Sequence, residues 1–134
     1  MRALATVFAV KIVITIALWV VPLLLFPVGW LAALGFPIPE PLIFLRLLGM
    51  AFLSLTLAYT FGLRAALRGD YPSNAIWVGI LSNGGSFFIL LIAALCSSWD
   101  SWGTSAKAAM WFFLAALGTI AAALVAFGPL RKIP

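Results

Sequence analysis

The chain has 134 residues, of which 66% are hydrophobic, 8% are charged and none is histidine. A soluble domain carries about a quarter charged residues, so a protein core alone cannot absorb this excess of apolar side chains. The composition therefore excludes a soluble enzyme and a disordered tail, and it predicts that lipid is the main solvent. The absence of histidine removes the commonest general base and metal ligand. The single cysteine, Cys96, excludes an internal disulfide or a cysteine cluster.

The net charge of +5 does not indicate nucleic acid as a partner. The basic residues lie at the ends of apolar runs, where membrane insertion itself favours Lys and Arg on the cytoplasmic side. A nucleic-acid surface requires these residues in one patch or stripe. We therefore expect the lipid bilayer, and no nucleic acid, to be the partner that the charges serve.

Four apolar runs are long enough for membrane-spanning helices, each of which needs about 20 residues. They cover approximately residues 12–31, 42–63, 75–95 and 106–127. The connections are short, so consecutive helices are expected to be antiparallel neighbours. The sequence thus predicts one all-α transmembrane domain over residues 1–134, an integral membrane four-helix bundle. Pro22 and Pro27 are expected to bend the first helix, because each removes a backbone hydrogen bond.

The distribution of basic residues predicts the orientation of the bundle. The group on the side of the N-terminus is Arg2, Lys11, Arg64, Arg68, Arg131 and Lys132, and the group on the other side is Arg46 and Lys107. Lys11, at the start of the first run, is expected to extend to the lipid headgroups. The larger group predicts that both termini are cytoplasmic. An outer aromatic belt is predicted independently at Trp30, Trp99, Trp102 and Trp111.

Polar and small residues interrupt the middle of the third run. They are Ser82, Asn83, Gly84, Gly85 and Ser86. An unpaired amide in hydrocarbon costs several kcal/mol, so Asn83 is expected to face another helix or a cavity. In the first interpretation Asn83 hydrogen-bonds across a helix interface, and Gly79, Ser82 and Ser86 let a neighbouring helix approach closely. Gly84 and Gly85 are expected to lie in the same helix contact. In the alternative, the segment is locally unwound and its free carbonyls bind an ion or a polar headgroup.

Arg46 is the second candidate for a polar site, about one turn inside the second helix. In one interpretation its long side chain extends outward to the headgroups. In the other it pairs with Glu40 or Asp100, or it binds an anionic group such as a lipid phosphate or a partner's carboxylate. The sequence does not choose between these alternatives.

The fourth run contains two rows of small residues at helical spacing. One row is Ala115, Thr119 and Ala123, and the other is Gly118, Ala122 and Ala126. Small residues allow close approach of helices in lipid. We therefore expect one row to pack inside the bundle and the other to face a partner chain.

The middle of the chain resembles the small bacterial four-helix membrane proteins loosely grouped as DoxX-like. The resemblance covers roughly residues 20–90 and includes FPVGWLAALGFPIPEP, RLLGMAFLSLTLAYTFGLRAALRGDYP and IWVGILSNGG. It implies a multi-pass protein of the bacterial inner, or plasma, membrane. Some such proteins are membrane subunits of quinone-linked oxidoreductases, but the resemblance carries over no catalytic, cofactor-binding or metal-binding residue.

Three functions follow as hypotheses from this inventory. The first is a non-catalytic accessory or scaffold subunit of a larger respiratory or photosynthetic inner-membrane assembly, whose partners are other membrane chains. The second is a small oligomeric transporter or channel, although no carboxylate is predicted at membrane depth to couple protons. The third is a membrane subunit of a quinone-linked oxidoreductase. Because no nucleophile, base and orienting group can be assembled without histidine, no enzymatic activity and no cofactor are predicted.

Overall fold

The computed structural model describes residues 2–132, with side chains as far as residue 130. The side chains of Arg131 and Lys132, which belong to the predicted cytoplasmic group, therefore lie outside the described part. Within residues 2–132 the secondary structure is helical and contains no strand. Four long helices, each long and apolar enough to cross a membrane, are α1 (Arg2–Leu25), α2 (Ile43–Arg68), α3 (Ser73–Leu95) and α4 (Thr104–Phe127). The predicted all-α class with four long apolar helices is confirmed.

The four helices form a ring in which each contacts its neighbours in the chain. Helix α1 packs along α2, α3 packs along α4, and these two pairs are joined by contacts of α2 with α3 and of α1 with α4. Short connections at alternating ends make successive helices antiparallel. The length and composition of the helices are those of a multi-pass membrane protein.

The first helix differs in its bounds from the run predicted at residues 12–31. It begins at Arg2 and ends at Leu25, since Phe26 is extended, with φ −68° and ψ 137°, immediately before Pro27. The segment Ile16–Val20 is a π-helix, in which the N–H of Val21 bonds to the carbonyl of Ile16. This widened turn accommodates Pro22, which cannot donate a backbone hydrogen bond to the preceding turn. Pro22 is thus accommodated by a π segment, and Pro27 follows the end of the helix.

Two connections meet at the end of the bundle opposite Arg2. After the short helix Val28–Ala33, the chain turns at Gly35, whose φ of +84° is a conformation that glycine adopts readily. The N–H of Gly103, before α4, donates to the carbonyl of Gly35 at 3.1 Å. This bond ties the α1–α2 connection to the α3–α4 connection.

The apolar core has two parts. Near the end with Arg2, one part includes Phe8, Ile76 and Leu124. At the opposite end, the other part includes Met110 and Phe113 together with Trp99. Trp99 is only 2% exposed, so it is a core residue rather than a member of an aromatic belt.

Two other members of the predicted outer belt, Trp30 and Trp111, are exposed to the surroundings of the bundle. Trp102 is half-buried and packs edge-on against Phe36 at a ring distance of 6.1 Å. The aromatic residues at this end therefore divide between a surface role and a packing role.

Candidate functional site

Polar side chains from three helices meet near the middle of the bundle, between the two parts of the apolar core. They are Lys11 and Thr15 of α1, Tyr59 of α2, and Ser82 and Asn83 of α3, and we call them the central polar cluster. Each lies near the middle of its helix, where a spanning helix is surrounded by hydrocarbon. Four of the five are buried, which leaves Ser82 half-buried.

Tyr59 and Asn83 supply most of the hydrogen bonds of the cluster. The hydroxyls of Tyr59 and Ser82 share a bond of 2.6 Å, in which either can donate. The Nδ2 of Asn83 donates to the carbonyl of Gly79, one turn back, at 2.6 Å. It also lies 3.4 Å from the Ser82 hydroxyl and 3.5 Å from that of Tyr59. Asn83 is thus held by its own helix, and Tyr59 joins α2 to α3.

Two buried polar atoms of the cluster have no hydrogen-bond partner. They are Oγ1 of Thr15 and Oδ1 of Asn83. Leaving such a group unsatisfied costs about 1–3 kcal/mol, so it is uncommon in folded proteins. Both residues line a cavity of about 30 Å³, together with Lys11 and Ser86. This is about the share of liquid volume of one water molecule, so the cavity suits a ligand of that size.

Lys11 is the ionisable member of the cluster. Its side chain is 6% exposed, and its Nζ lies 5.9 Å from the centre of the Tyr59 ring, within the range of a cation–π interaction. The chain has three acidic residues, and all of them lie in the connections that join the long helices: Glu40, Asp70 and Asp100. A buried cation at membrane depth is a feature that marks functional sites in membrane proteins.

The structure corrects the expectation that Lys11 extends to the headgroups. Because α1 begins at Arg2, Lys11 lies near the middle of the helix and faces the bundle. The signal for this was the apolar segment 3–10, which continues the helix ahead of Lys11. Removing Lys11 from the predicted cytoplasmic group leaves the charge asymmetry in the same direction.

The segment 82–86 is not unwound, because α3 is continuous from Ser73 to Leu95. The hypothesis of a broken helix with free carbonyls is therefore wrong. Ser82 and Asn83 face the bundle, and Ser86 lines the small cavity. Gly84 and Gly85 do not lie in a helix contact within the chain, since a Cβ on either would meet nothing within 4 Å. The close glycine contact of this helix is at Gly79, which packs against Leu124.

Arg46 caps the end of α1 instead of forming the ion pair that was one of its predicted alternatives. Its Nη1 donates to the carbonyl of Leu23 at 2.6 Å, and its Nη2 donates to that of Phe26 at 3.0 Å. These carbonyls are left without helical partners where α1 ends. Glu40 and Asp100 are exposed and are not brought to the guanidinium. Among the side chains that the structure describes, the ion pair is between Arg68 and Asp70, at 3.9 Å.

The two small-residue rows of α4 do not divide into an inner and an outer row. The buried face of α4 carries Met110, Phe113, Leu114, Ile120 and Leu124, because these larger side chains fill the space between helices. Gly118, which packs against Phe87, and Ala123 are half-buried. The exposed members of the two rows are Ala115, Thr119, Ala122 and Ala126, and we call them the outer small face. The face draws members from both predicted rows.

No protein-family model matches the chain, and no curated protein or solved structure is significantly similar to it. The resemblance to DoxX-like proteins therefore stays a prediction.

Proposed function

We propose that this protein is a non-catalytic accessory subunit of a larger assembly in the bacterial inner membrane, and that it acts by helix-to-helix association with other membrane chains. The observation that carries the proposal is the outer small face of α4. Its four members recur at intervals of four, three and four residues, so they follow one side of the helix for about three turns.

Small residues on a lipid-facing surface favour association because they let the backbone of a second helix approach closely. Large apolar side chains such as Leu81, Phe88 and Ile92 cover the exposed side of the adjacent helix α3. Gly84 and Gly85 interrupt that cover. Gly79 contacts Leu124, and Gly118 contacts Phe87, which sets the antiparallel register of α3 and α4. In this register Gly84 and Gly85 lie at the level of Thr119. Near the middle of α3 and α4, the outer surface therefore carries small side chains, and a second helix can approach the backbone closely.

The proposal is tested by substitution of the outer small face. Ala122→Leu adds bulk on that face without entering the core, so the monomer is expected to fold and its association with other chains to weaken. Ala51→Leu makes the same change on the exposed side of α2 and is the matched control. Sedimentation in mild detergent, with identification of co-purifying chains, measures the outcome. A wild-type protein that purifies alone as a monomer contradicts the proposal, as does equal association of the two variants.

A second candidate function, a small oligomeric transporter or channel, is supported by the central polar cluster. Lys11 supplies a positive charge at membrane depth, and the hydroxyls beside it are able to donate hydrogen bonds to a small anion. Chloride flux into vesicles containing the purified protein tests this candidate. Flux that exceeds that of protein-free vesicles, is lost in Lys11→Met and is retained in Lys107→Met favours transport. Flux equal to that of protein-free vesicles rejects it.

A further inference from the structure

A second, larger cavity of about 490 Å³ lies at the end of the bundle opposite Arg2. It is open on one side and is lined by the π segment and last turn of α1, the short helix Val28–Ala33, the connection that follows it, and parts of α2 and α4. Its lining is almost entirely apolar and includes Trp19, Pro22, Phe36 and Met110. Its volume falls within the range of about 300–1,000 Å³ that is typical of small-molecule sites.

The cavity exists because α1 ends early. The helix stops at Leu25 and the chain turns away at Pro27, so α1 leaves space beside the outer turns of α2 and α4. Trp19 forms one wall, and its ring lies 4.8 Å from that of Phe52 and 4.4 Å from that of Phe113. These ring contacts hold the wall in place and restrict collapse of the space around them.

A cation adjoins this apolar space. Arg46 bonds to the carbonyls of Leu23 and Phe26, and both of these residues line the cavity. A guanidinium has five N–H donors, so these two bonds leave others for a second acceptor. Arg46 lies within the first turn of α2, near the level at which headgroups meet hydrocarbon in a bilayer. Its planar fork is well suited to a phosphate.

We propose that this cavity binds one acyl chain of an anionic phospholipid, with the headgroup phosphate at Arg46. The acyl chain occupies the apolar space beside Trp19, where water has no polar partner. The phosphate accepts hydrogen bonds from Arg46, whose charge no acidic side chain of the described residues neutralises. The surrounding bilayer supplies this ligand. This inference is independent of the association proposed for α4.

The proposal is tested in lipid nanodiscs that contain equal parts of phosphatidylglycerol and phosphatidylcholine. Native mass spectrometry of the released protein measures how many lipids stay bound and of which class. The wild-type chain is expected to retain one phosphatidylglycerol. Ala109→Phe fills the cavity and is expected to remove the lipid, whereas Ala51→Phe, on the exposed side of α2, retains it. Ala17→Leu is a second, smaller cavity variant if Ala109→Phe does not fold.

Two further experiments separate the contribution of the headgroup to binding from that of the acyl chain. Both lipids carry a phosphate, but the choline cation leaves phosphatidylcholine without net charge, so the guanidinium favours phosphatidylglycerol by net charge. Arg46→Gln removes the positive charge and is expected to lower the ratio of bound phosphatidylglycerol to phosphatidylcholine by about tenfold, and Arg46→Lys, which keeps the charge, restores part of that ratio. Glycerol phosphate, which has no acyl chain, does not displace the lipid. Equal binding of both lipid classes, a quinone in place of the phospholipid, displacement by glycerol phosphate, or equal binding by Ala109→Phe and Ala51→Phe overturns the proposal.

Discussion

The hydroxyl of Tyr59 lies 2.6 Å from the hydroxyl of Ser82, and this bond joins the middle of α2 to the middle of α3. Tyr59 is fully buried, and its ring also faces the ammonium group of Lys11 from α1. One side chain thus connects three of the four long helices at the level where polar groups cost most. The central polar cluster is therefore a structural element as well as a candidate site.

Ser82→Ala is predicted to destabilise the bundle modestly, because it removes the bond to Tyr59. Hydrogen bonds between helices in a membrane contribute about 0.6 kcal/mol on average and at most about 1.7 kcal/mol. Ser54→Ala is the matched control, since Ser54 is exposed and bonds to the carbonyl of Met50 in its own helix. Unfolding in mixed detergent micelles measures both variants and the double variant with Tyr59→Phe. Full additivity of Ser82→Ala and Tyr59→Phe would show that the bond contributes nothing.

Gly103→Ala is predicted to disrupt the junction of the two connections at the end opposite Arg2. A Cβ at Gly103 would lie 2.7 Å from the Cα of Gly35, and backbone atoms cannot move as a side-chain end does. Overpacking of this kind costs about 1–3 kcal/mol. Gly29→Ala is the control, because a Cβ there meets nothing within 4 Å. Thermal unfolding in detergent measures the Tm, which is expected to fall in Gly103→Ala alone. Equal Tm values of Gly103→Ala and Gly29→Ala would disprove the close contact.

Arg46→Ala is predicted to free the end of α1, because the carbonyls of Leu23 and Phe26 lose their donors. An unsatisfied buried polar group costs about 1–3 kcal/mol. Arg64→Ala removes the same charge from an exposed position and is expected to have little effect. Hydrogen exchange of the amides in 20–27, measured in lipid-free detergent, reports the loosening. Unchanged protection in Arg46→Ala would contradict the capping role.

The predicted orientation is testable with the natural cysteine. Cys96 is exposed at the end of α3 that lies away from Arg2. With both termini cytoplasmic, a membrane-impermeant maleimide is expected to label Cys96 in intact spheroplasts. Asp70→Cys, made together with Cys96→Ser, places the only cysteine at the other end and is expected to be labelled only after lysis. The reverse pattern would invert the topology.

The sequence was sufficient for the number and type of helices, because four runs of about 20 apolar residues have no other stable arrangement in lipid. It was not sufficient for the first boundary, since Lys11 interrupts a hydropathy window without interrupting the helix. The interior position of Lys11 depends on Tyr59 from α2, a neighbour that hydropathy does not reveal.

The faces of α4 were also beyond prediction, and the reason is physical. In a soluble bundle the buried face is apolar and the exposed face is polar, whereas in lipid both faces of a helix are apolar. The two small rows therefore gave no signal for which side is inward. In the structure Met110 and Leu114 fill the bundle, while Ala115 and Ala122 are left outside.

Photocrosslinking from the outer small face tests the proposed association most directly. A small diazirine-bearing amino acid replaces Ala122 or, as the control, Ala51, and both are activated in native membranes before any detergent is added. Position 122 is expected to give protein adducts, with another membrane chain or a second copy, and position 51 is expected to give lipid adducts alone. Lipid adducts alone from position 122 would contradict the proposed association.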